Sequence, residues 1–559
     1  MSLETILRAR PGTIGNSILE AAQRWPDRTA FILSERHASY AEFARQTIAA
    51  ARALLALGIK RGEHVGILMP NNWDYAVLVG AANMIGAAAV VLNARYRGED
   101  LRFVIEHADI AVLFTTGSGQ PHLDLKSLLC GQFPELATWY KGEPLAAAGA
   151  PKLRAVFHFD APDEVNWPAE REFIAGSASV SDETLAQRVS SVQSEDAALV
   201  IFSSGTTAQP KACMISHRTV SEVADAMADR LALEQNDVFW NPLPFYHLSS
   251  HLPLNACRKI GAAYLCQTHF DAGQALNEME TWGATICYPA FPTLTAALID
   301  HPDFSRRDLS RLRLMLNIGA PELLRKFAAA IPQATQIGCF GLTESGGVST
   351  MSKPTETLEQ RVTRVGSPLS VHRIRIVDPE TLADVPAGTR GEILISGAIF
   401  SGYYKDPDQT SKVLLPSGWL RSGDAGWIDE EGLLAYAGRI KDMLKIGGEN
   451  VAAVEIESFL TRHPKVKMAQ VISVPDDHLV EVAAAFVEMK SGEAVTEGEL
   501  VEYCVGRIAS YKIPRYIRFV TEWPMSTTKI QKYKLVETFV PTGKIDIARF
   551  LGRSSSTLQ

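Results

Sequence analysis

Short continuous apolar runs alternate with helical stretches through the first half of the chain, and few architectures accept that order. Val65-Gly66-Ile67-Leu68-Met69 reads as a strand stopped by Pro70. Trp73 to Ile85 reads as a helix ended by Gly86, and Ala88-Ala89-Val90-Val91-Leu92 as the next strand. Strands without polar alternation are buried on both faces, the pattern of a parallel sheet covered by helices. The alternation continues at Ala111–Phe114, Leu199–Phe202, Ala263–Cys266, Thr285–Tyr288 and Leu314–Ile318. Upstream, Ser17 is placed to cap a helix from Ile18, and Tyr40 opens a long Ala-rich helix ending near Gly58. Between Gly119 and Val192 the periodicity weakens and Pro, Gly and Ser accumulate, so irregular connection or peripheral structure is expected there.

After Gly366 the texture becomes β: Ile374–Asp378, Gly391–Ile395 and Leu433–Tyr436 are short strands between turn clusters. A helix from Val454 to Leu460 and strands at Met468–Val474 and Val482–Met489 then make a compact α+β unit. The expected fold class is α/β: a large N-terminal domain of parallel sheets covered by helices, with a small β-barrel-like part, and a small α+β C-terminal domain. The expected boundaries are residues 1–438 for the large domain, 439–442 for a hinge, 443–535 for the small domain and 536–559 for a frayed tail.

A formal charge of −8 provides no basic field for nucleic acid or anionic lipid, although a local positive site can still hold a nucleotide. The most apolar stretch, Ala76 to Leu92, is interrupted by Asn83, Gly80 and Gly86 and reads as a buried helix running into a strand. No signal peptide is evident at the N-terminus. The seven Cys are scattered and form no C-x-x-C pair, which fits a reducing cytoplasm.

One loop carries chemistry. The strand-like run through Ile201-Phe202 ends in Ser203-Ser204-Gly205-Thr206-Thr207-Ala208-Gln209-Pro210-Lys211. A polyphosphate needs backbone N–H donors, small side chains, hydroxyls and a cation, and all are present here. The order differs from the common G-x-x-x-x-G-K-[ST] loop. A Ser/Thr/Gly surface turn has the same composition.

Further along stand Gly338-Cys339-Phe340-Gly341-Leu342-Thr343-Glu344, Trp419-Leu420-Arg421-Ser422-Gly423-Asp424, and Gly438-Arg439-Ile440-Lys441-Asp442 running on to Gly447-Gly448-Glu449-Asn450. Tyr511-Lys512-Ile513-Pro514 and Thr527-Thr528-Lys529-Ile530-Gln531-Lys532 follow. In this order and spacing, over roughly Ile18 to Leu535, the chain resembles the adenylate-forming superfamily, of acyl-CoA synthetase type. The resemblance implies ATP, Mg²⁺ and CoA, with a carboxylic acid activated as an acyl-adenylate and transferred to CoA, and a small domain that moves between the two half-reactions. It assigns Ser203, Ser204, Gly205, Thr206, Thr207 and Lys211 to the phosphates. Thr343 bonds a phosphate oxygen and Glu344 holds the metal. Phe340 and Gly341, with Gly319, Ala320 and Pro321, frame the adenine, and Asp424 and Arg439 the ribose. Lys441 takes the hinge position, and Gly447, Gly448 and Glu449 line the pantetheine tunnel.

Two lysines compete for the catalytic role. Thr542-Gly543-Lys544-Ile545 matches the usual local string more closely, but Lys529 stands at the expected interval after Tyr511-Lys512-Ile513-Pro514 and is favoured. Ala208 and Ala212 stand where Gly is common, as does Thr528. For the acid, Phe245, His247, Phe291, Thr293, Asn317, Leu342 and Val348 are the expected pocket walls. No Asp lies between Phe245 and Ser250 to meet an α-ammonium, and Asp271 comes too late. An acid without an α-amino group and with an apolar, cyclic or aromatic body is therefore expected. Loading of a carrier protein instead of CoA, and a non-catalytic nucleotide sensor, are the alternatives. Partners are small molecules, without nucleic acid or integral membrane association, and a homodimer is left open.

Overall fold

The computed structural model describes residues 12–96, 98–117, 124–160, 166–203, 210–446, 449–476, 479–505, 507–525 and 530–550. It divides into two compact units, residues 1–374 with 395–421, and residues 375–394 with 422–559. The architecture is mixed α/β with large parallel sheets and covering helices, as the alternating pattern requires.

In the first unit, two seven-stranded sheets occur among the described residues. One runs in the order Thr335–Ile337, Leu314–Asn317, Ile286–Ala290, Val238–Trp240, Ala263–Cys266, Thr29–Leu33 and Arg36–Ser39, parallel except for the last pair. The other runs Gly402–Tyr403, Lys211–Ser216, Ala197–Ser203, Ala88–Leu92, His64–Leu68, Ile110–Thr116 and Ala155–Phe159. Its last five strands are parallel, while Lys211–Ser216 is antiparallel to both neighbours. His64–Leu68 and Ala88–Leu92 are buried at every residue, which is why neither shows polar alternation. Gly66 is required there: a Cβ would come within 2.8 Å of Ile110 and 2.9 Å of Leu113.

Local signals set the helix starts. Asn72 caps Trp73–Met84 by accepting from Tyr75 N at 2.7 Å, and Ser39 caps Tyr40–Ala56; such caps contribute about 1 kcal/mol. The first described helix, Ile14–Arg24, is capped by Thr13 rather than Ser17, whose hydroxyl instead donates to Ile14 O at 2.8 Å inside the first turn.

Of the two expectations for residues 119–192, irregular connection or peripheral structure, the described residues form the second. Ala155–Phe159 is a parallel strand beside Ile110–Thr116, and helices form at Leu125–Gln132, Glu170–Ala175 and Asp182–Ser191. These elements are short and peripheral, so each carries too few apolar positions to show a period. Their anchors are single large side chains, including Trp167, Phe133 and Phe173.

In the second unit, Glu449–Ala452, Met443–Ile446, Val480–Met489 and Val466–Asp476 form a sheet, with Tyr516–Phe519 parallel to Val480–Met489. The Ala453–Thr461 and Glu497–Cys504 helices pack on it through Ile456, Leu460, Leu500 and Val501. The expectation of a frayed tail from 536 is corrected, for the described residues up to 550. Phe539 packs on Tyr516 at 5.4 Å, Ile545 N bonds Arg515 O at 2.7 Å, and Ile547 is buried. A few apolar residues without period are enough to dock this segment. Among the described residues no helix is long and apolar enough to cross a membrane.

Candidate active site

Ser203 and Lys211 are direct partners across the antiparallel pair that flanks the hydroxyl-rich loop. The strand pairing thus brings the loop's first hydroxyl and its lysine to one neck. Ser204, Gly205, Thr206 and Thr207, with Ala208, lie outside the described residues. Ala212 sits in the extended Lys211–Ser216 strand opposite Phe202 and is buried, so no left-handed φ is needed where glycine is common.

Glu344 joins this neck from the Thr343–Ser345 turn. Its Oε1 accepts from Tyr403 Oη at 2.8 Å and from Ser203 Oγ at 3.4 Å. Tyr403 arrives on the two-residue strand that pairs with Lys211–Ser216, and its ring lies 5.1 Å from Lys211 Nζ. Lys211 Nζ also donates to Gln409 Oε1 at 3.3 Å. Burial and then the Glu344 carboxylate push the Tyr403 phenol well up, so it remains a donor at neutral pH. The same two causes raise the buried Cys213 thiol, whose Sγ is 3.6 Å from Ser203 Oγ. The result is the Lys211 cation, the Glu344 carboxylate and neutral donors gathered where the two strands flanking the loop meet. Sequence reasoning missed Tyr403 and Gln409, because a tyrosine beside a turn and a helix-start glutamine carry no signal until the strand pairing is known.

The Gly338–Glu344 string has a packing reason as well. A Cβ on Gly341 would lie 2.3 Å from Gly347 O, so only glycine fits. Phe340 is buried in a short strand paired with Thr350–Met351, and Val348 is buried, while Leu342 and Thr343 are half-buried. Gly319 lies against Pro292, the residue after Phe291: a Cβ at 319 would meet the Pro292 ring at 2.9 Å. Pro321 is the first residue of the Pro321–Ala330 helix and Ala320 its cap. Ala290, just before Phe291, has φ of 55°, a strained value for a residue with a Cβ.

Other expected pocket residues sit differently from one another. Asn317 is buried, accepting from Thr295 Oγ1 at 2.6 Å and donating to Gln336 at 2.9 Å, whereas Thr293 is exposed. Phe245 is in the aromatic core, 5.4 Å from Tyr75. His247 precedes the Leu248–Ile260 helix with its ring 4.7 Å from Tyr246. Asp271 caps Ala272–Trp282, accepting from Gln274 N at 2.8 Å.

In the second unit, Asp424 and Arg439 are partners across an antiparallel pair, with Arg439 Nε 3.1 Å from Asp424 Oδ1. The Asp424 side chain is 4% exposed and that of Arg439 39%. Gly447, Gly448 and Lys529 lie outside the described residues, as do the side chains of Lys441 and Glu449. The backbone on either side is described: Ile446 pairs with Glu449, and Met525 with Ile530.

The family model for AMP-binding enzymes matches residues 18–404, and that for the AMP-binding enzyme C-terminal domain matches residues 455–529. The chain belongs to the AMP-binding enzyme family. This AMP-binding enzyme is 34% identical over 545 residues to the protein named "Putative acyl-CoA synthetase YngI" of Bacillus subtilis, covering 94% of this chain and 96% of that one. It is 31% identical over 543 residues to the mitochondrial medium-chain acyl-CoA ligase ACSF2 of Macaca fascicularis, covering 94% and 87%. Its fold matches the crystal structure of ATP-bound MatB from Rhodopseudomonas palustris with a TM-score of 0.80 at 25% identity, over 94% of this chain and 98% of that one.

Proposed function

We propose that this AMP-binding enzyme is an ATP-dependent carboxylic acid:CoA ligase working in two steps, acyl-adenylate and pyrophosphate first, acyl-CoA and AMP second. The observation that carries the reading is the convergence of Ser203, Lys211 and Glu344 at the neck of the loop, fixed by Tyr403. Attack of a carboxylate on the α-phosphate joins two anions and releases a third, so positive charge must be placed in advance. Ser203 through Lys211 hold the β- and γ-phosphates and Thr343 bonds a phosphate oxygen. Mg²⁺ keeps several waters and needs only one or two carboxylates beside substrate phosphates. Glu344 fits that demand as a half-buried carboxylate with one oxygen already oriented. No group of three metal-binding side chains forms a protein cage among the described residues. Bound there, the ion supplies Lewis-acid neutralisation of phosphate charge.

Phe340 with Gly319–Pro321 receives the adenine, and Asp424 and Arg439 receive the ribose hydroxyls. Lys529 bridges the attacking carboxylate and the α-phosphate. Lys441 serves as the hinge, and Gly447, Gly448 and Glu449 border the pantetheine. The acid lacks an α-amino group: no carboxylate lies between Phe245 and Ser250, and Asp271 is spent on a helix cap. The named relatives support CoA as acceptor and an apolar acid body. The cysteines form no disulfide among the described residues and six are buried, which fits a reducing compartment such as the cytoplasm.

The test is a panel of acids assayed for AMP release with free CoA as the acceptor. Acyl-CoA formation with at least one acid is expected. Pyrophosphate release that stalls at the adenylate until a carrier protein is added would replace CoA with a carrier as acceptor.

A further inference from the structure

We propose that a cavity beside Arg258 in the first unit is a binding site for a small inorganic anion of the chloride class. Arg258 lies on the Leu248–Ile260 helix and is 5% exposed. Its Nη1 donates to Asn255 Oδ1 at 2.7 Å, and its guanidinium is 5.7 Å from the Phe43 ring. Among the described residues it has no carboxylate partner.

The nearby titratable groups do not offset the charge. Burial pushes the Tyr40 phenol and the Cys257 thiol well up and holds His251 down to about 4, so all three are neutral at pH 7. Burial lowers Arg258 only to about 10, which leaves it a cation. A buried cation without a counter-charge is strongly unfavourable, and the fold contains one unless something fills the gap.

The space for it is present. Arg258, Asn255, His251 and Asn83 line a cavity together with Ile14 and Leu254, and its free volume of about 10 Å³ suits one water-sized particle. The amides of Asn255 and Asn83 each donate to one backbone carbonyl, His251 O and Ala198 O, so the guanidinium is the one positively charged donor on the cavity wall. The competing occupant is a single water. It would donate to Asn83 Oδ1, which has no partner, but would leave the charge of Arg258 uncompensated. Sulfate and gluconate are too large.

The experiment uses the full chain at fixed ionic strength, replacing sodium gluconate with sodium chloride. A saturable rise in melting midpoint of roughly 1–3 °C is expected for a site filled well above its dissociation constant. Crystals soaked in bromide should show an anomalous peak within hydrogen-bonding reach of Arg258. Arg258→Met should lose the chloride response and be no less stable than the parent in gluconate. Equal midpoints in the two salts, or no bromide peak at Arg258, would assign the cavity to water and overturn the proposal. So would a chloride response that persists in Arg258→Met. The bromide soak needs no variant and decides the question even if Arg258→Met does not fold.

Discussion

The phenol of Tyr403 donates to Glu344 Oε1 at 2.8 Å, across 59 residues of sequence. One tyrosine thereby orients the carboxylate proposed to hold the metal and offers its ring to Lys211. A hydrogen bond to a charged group contributes about 1.5–3 kcal/mol. Tyr403→Phe keeps the ring and loses the hydrogen bond, so acid-dependent pyrophosphate release should fall roughly 10- to 100-fold at limiting Mg²⁺, with part of the loss recovered at high Mg²⁺. A rate that is unchanged at every Mg²⁺ concentration would separate Tyr403 from the reaction.

The two candidate lysines predict opposite phenotypes. Lys544 Nζ pairs with Asp476, whose side chain is 4% exposed. Lys544→Ala removes this ion pair from a nearly buried carboxylate, so the melting midpoint should drop while adenylation survives. Lys529→Ala should leave the midpoint in place and cut adenylate formation by about two orders of magnitude or more, the scale for losing a transition-state donor. Thioester formation from supplied acyl-adenylate should continue. If adenylation is lost in the Lys544 variant and kept in the Lys529 variant, the roles are reversed.

What could be read from the chain follows physical reach. The central strands declare themselves because burial on both faces leaves unbroken apolar runs, as at Val65–Met69. Ala155–Phe159 does not, because a short strand reached through a polar connection has too little context. At the site, Ser203, Lys211 and Glu344 stand within linear strings, so their chemistry is legible. Tyr403 and Gln409 acquire meaning only when the Gly402–Tyr403 strand pairs with Lys211–Ser216. Ala212 shows the converse: it looks like a departure in the sequence and is an ordinary buried strand residue in the fold.

Two buried imidazoles give a pH signature. Burial holds His217 and His251 down to about 4 from an ordinary 6.5. The unfolded chain therefore binds more protons than the fold between those values. The stability contribution is fully present above about pH 6.5 and is lost as pH falls toward 4. Each group adds a slope of up to about 1.4 kcal/mol per pH unit in that window. His217 Nδ1 accepts from Ile14 N at 3.3 Å, a role a glutamine carbonyl can take over. His217→Gln should flatten the pH dependence of urea unfolding by one proton. An unaltered slope would mean that His217 is not neutral in the fold.

Asp424 is suited to recognise a sugar because it is a nearly buried carboxylate beside a part-exposed arginine. Its side chain is 4% exposed, and that of Arg439, 3.1 Å away, is 39% exposed. Burial and then Asp424 itself push the Tyr436 phenol well up, so that ring brings no competing charge. Asp424→Asn keeps the shape and removes the charge. Losing a charge-assisted bond worth about 1.5–3 kcal/mol should raise the KM for ATP roughly tenfold or more, with a smaller change in kcat. Weakened ATP binding alone would not identify the ribose, because a general electrostatic effect would do the same. The comparison that does is between ATP and its 2′- and 3′-deoxy analogues in both proteins. The parent should discriminate against at least one analogue and Asp424→Asn should lose most of that discrimination. If the variant discriminates as well as the parent does, Asp424 acts on the nucleotide through something other than the sugar hydroxyls.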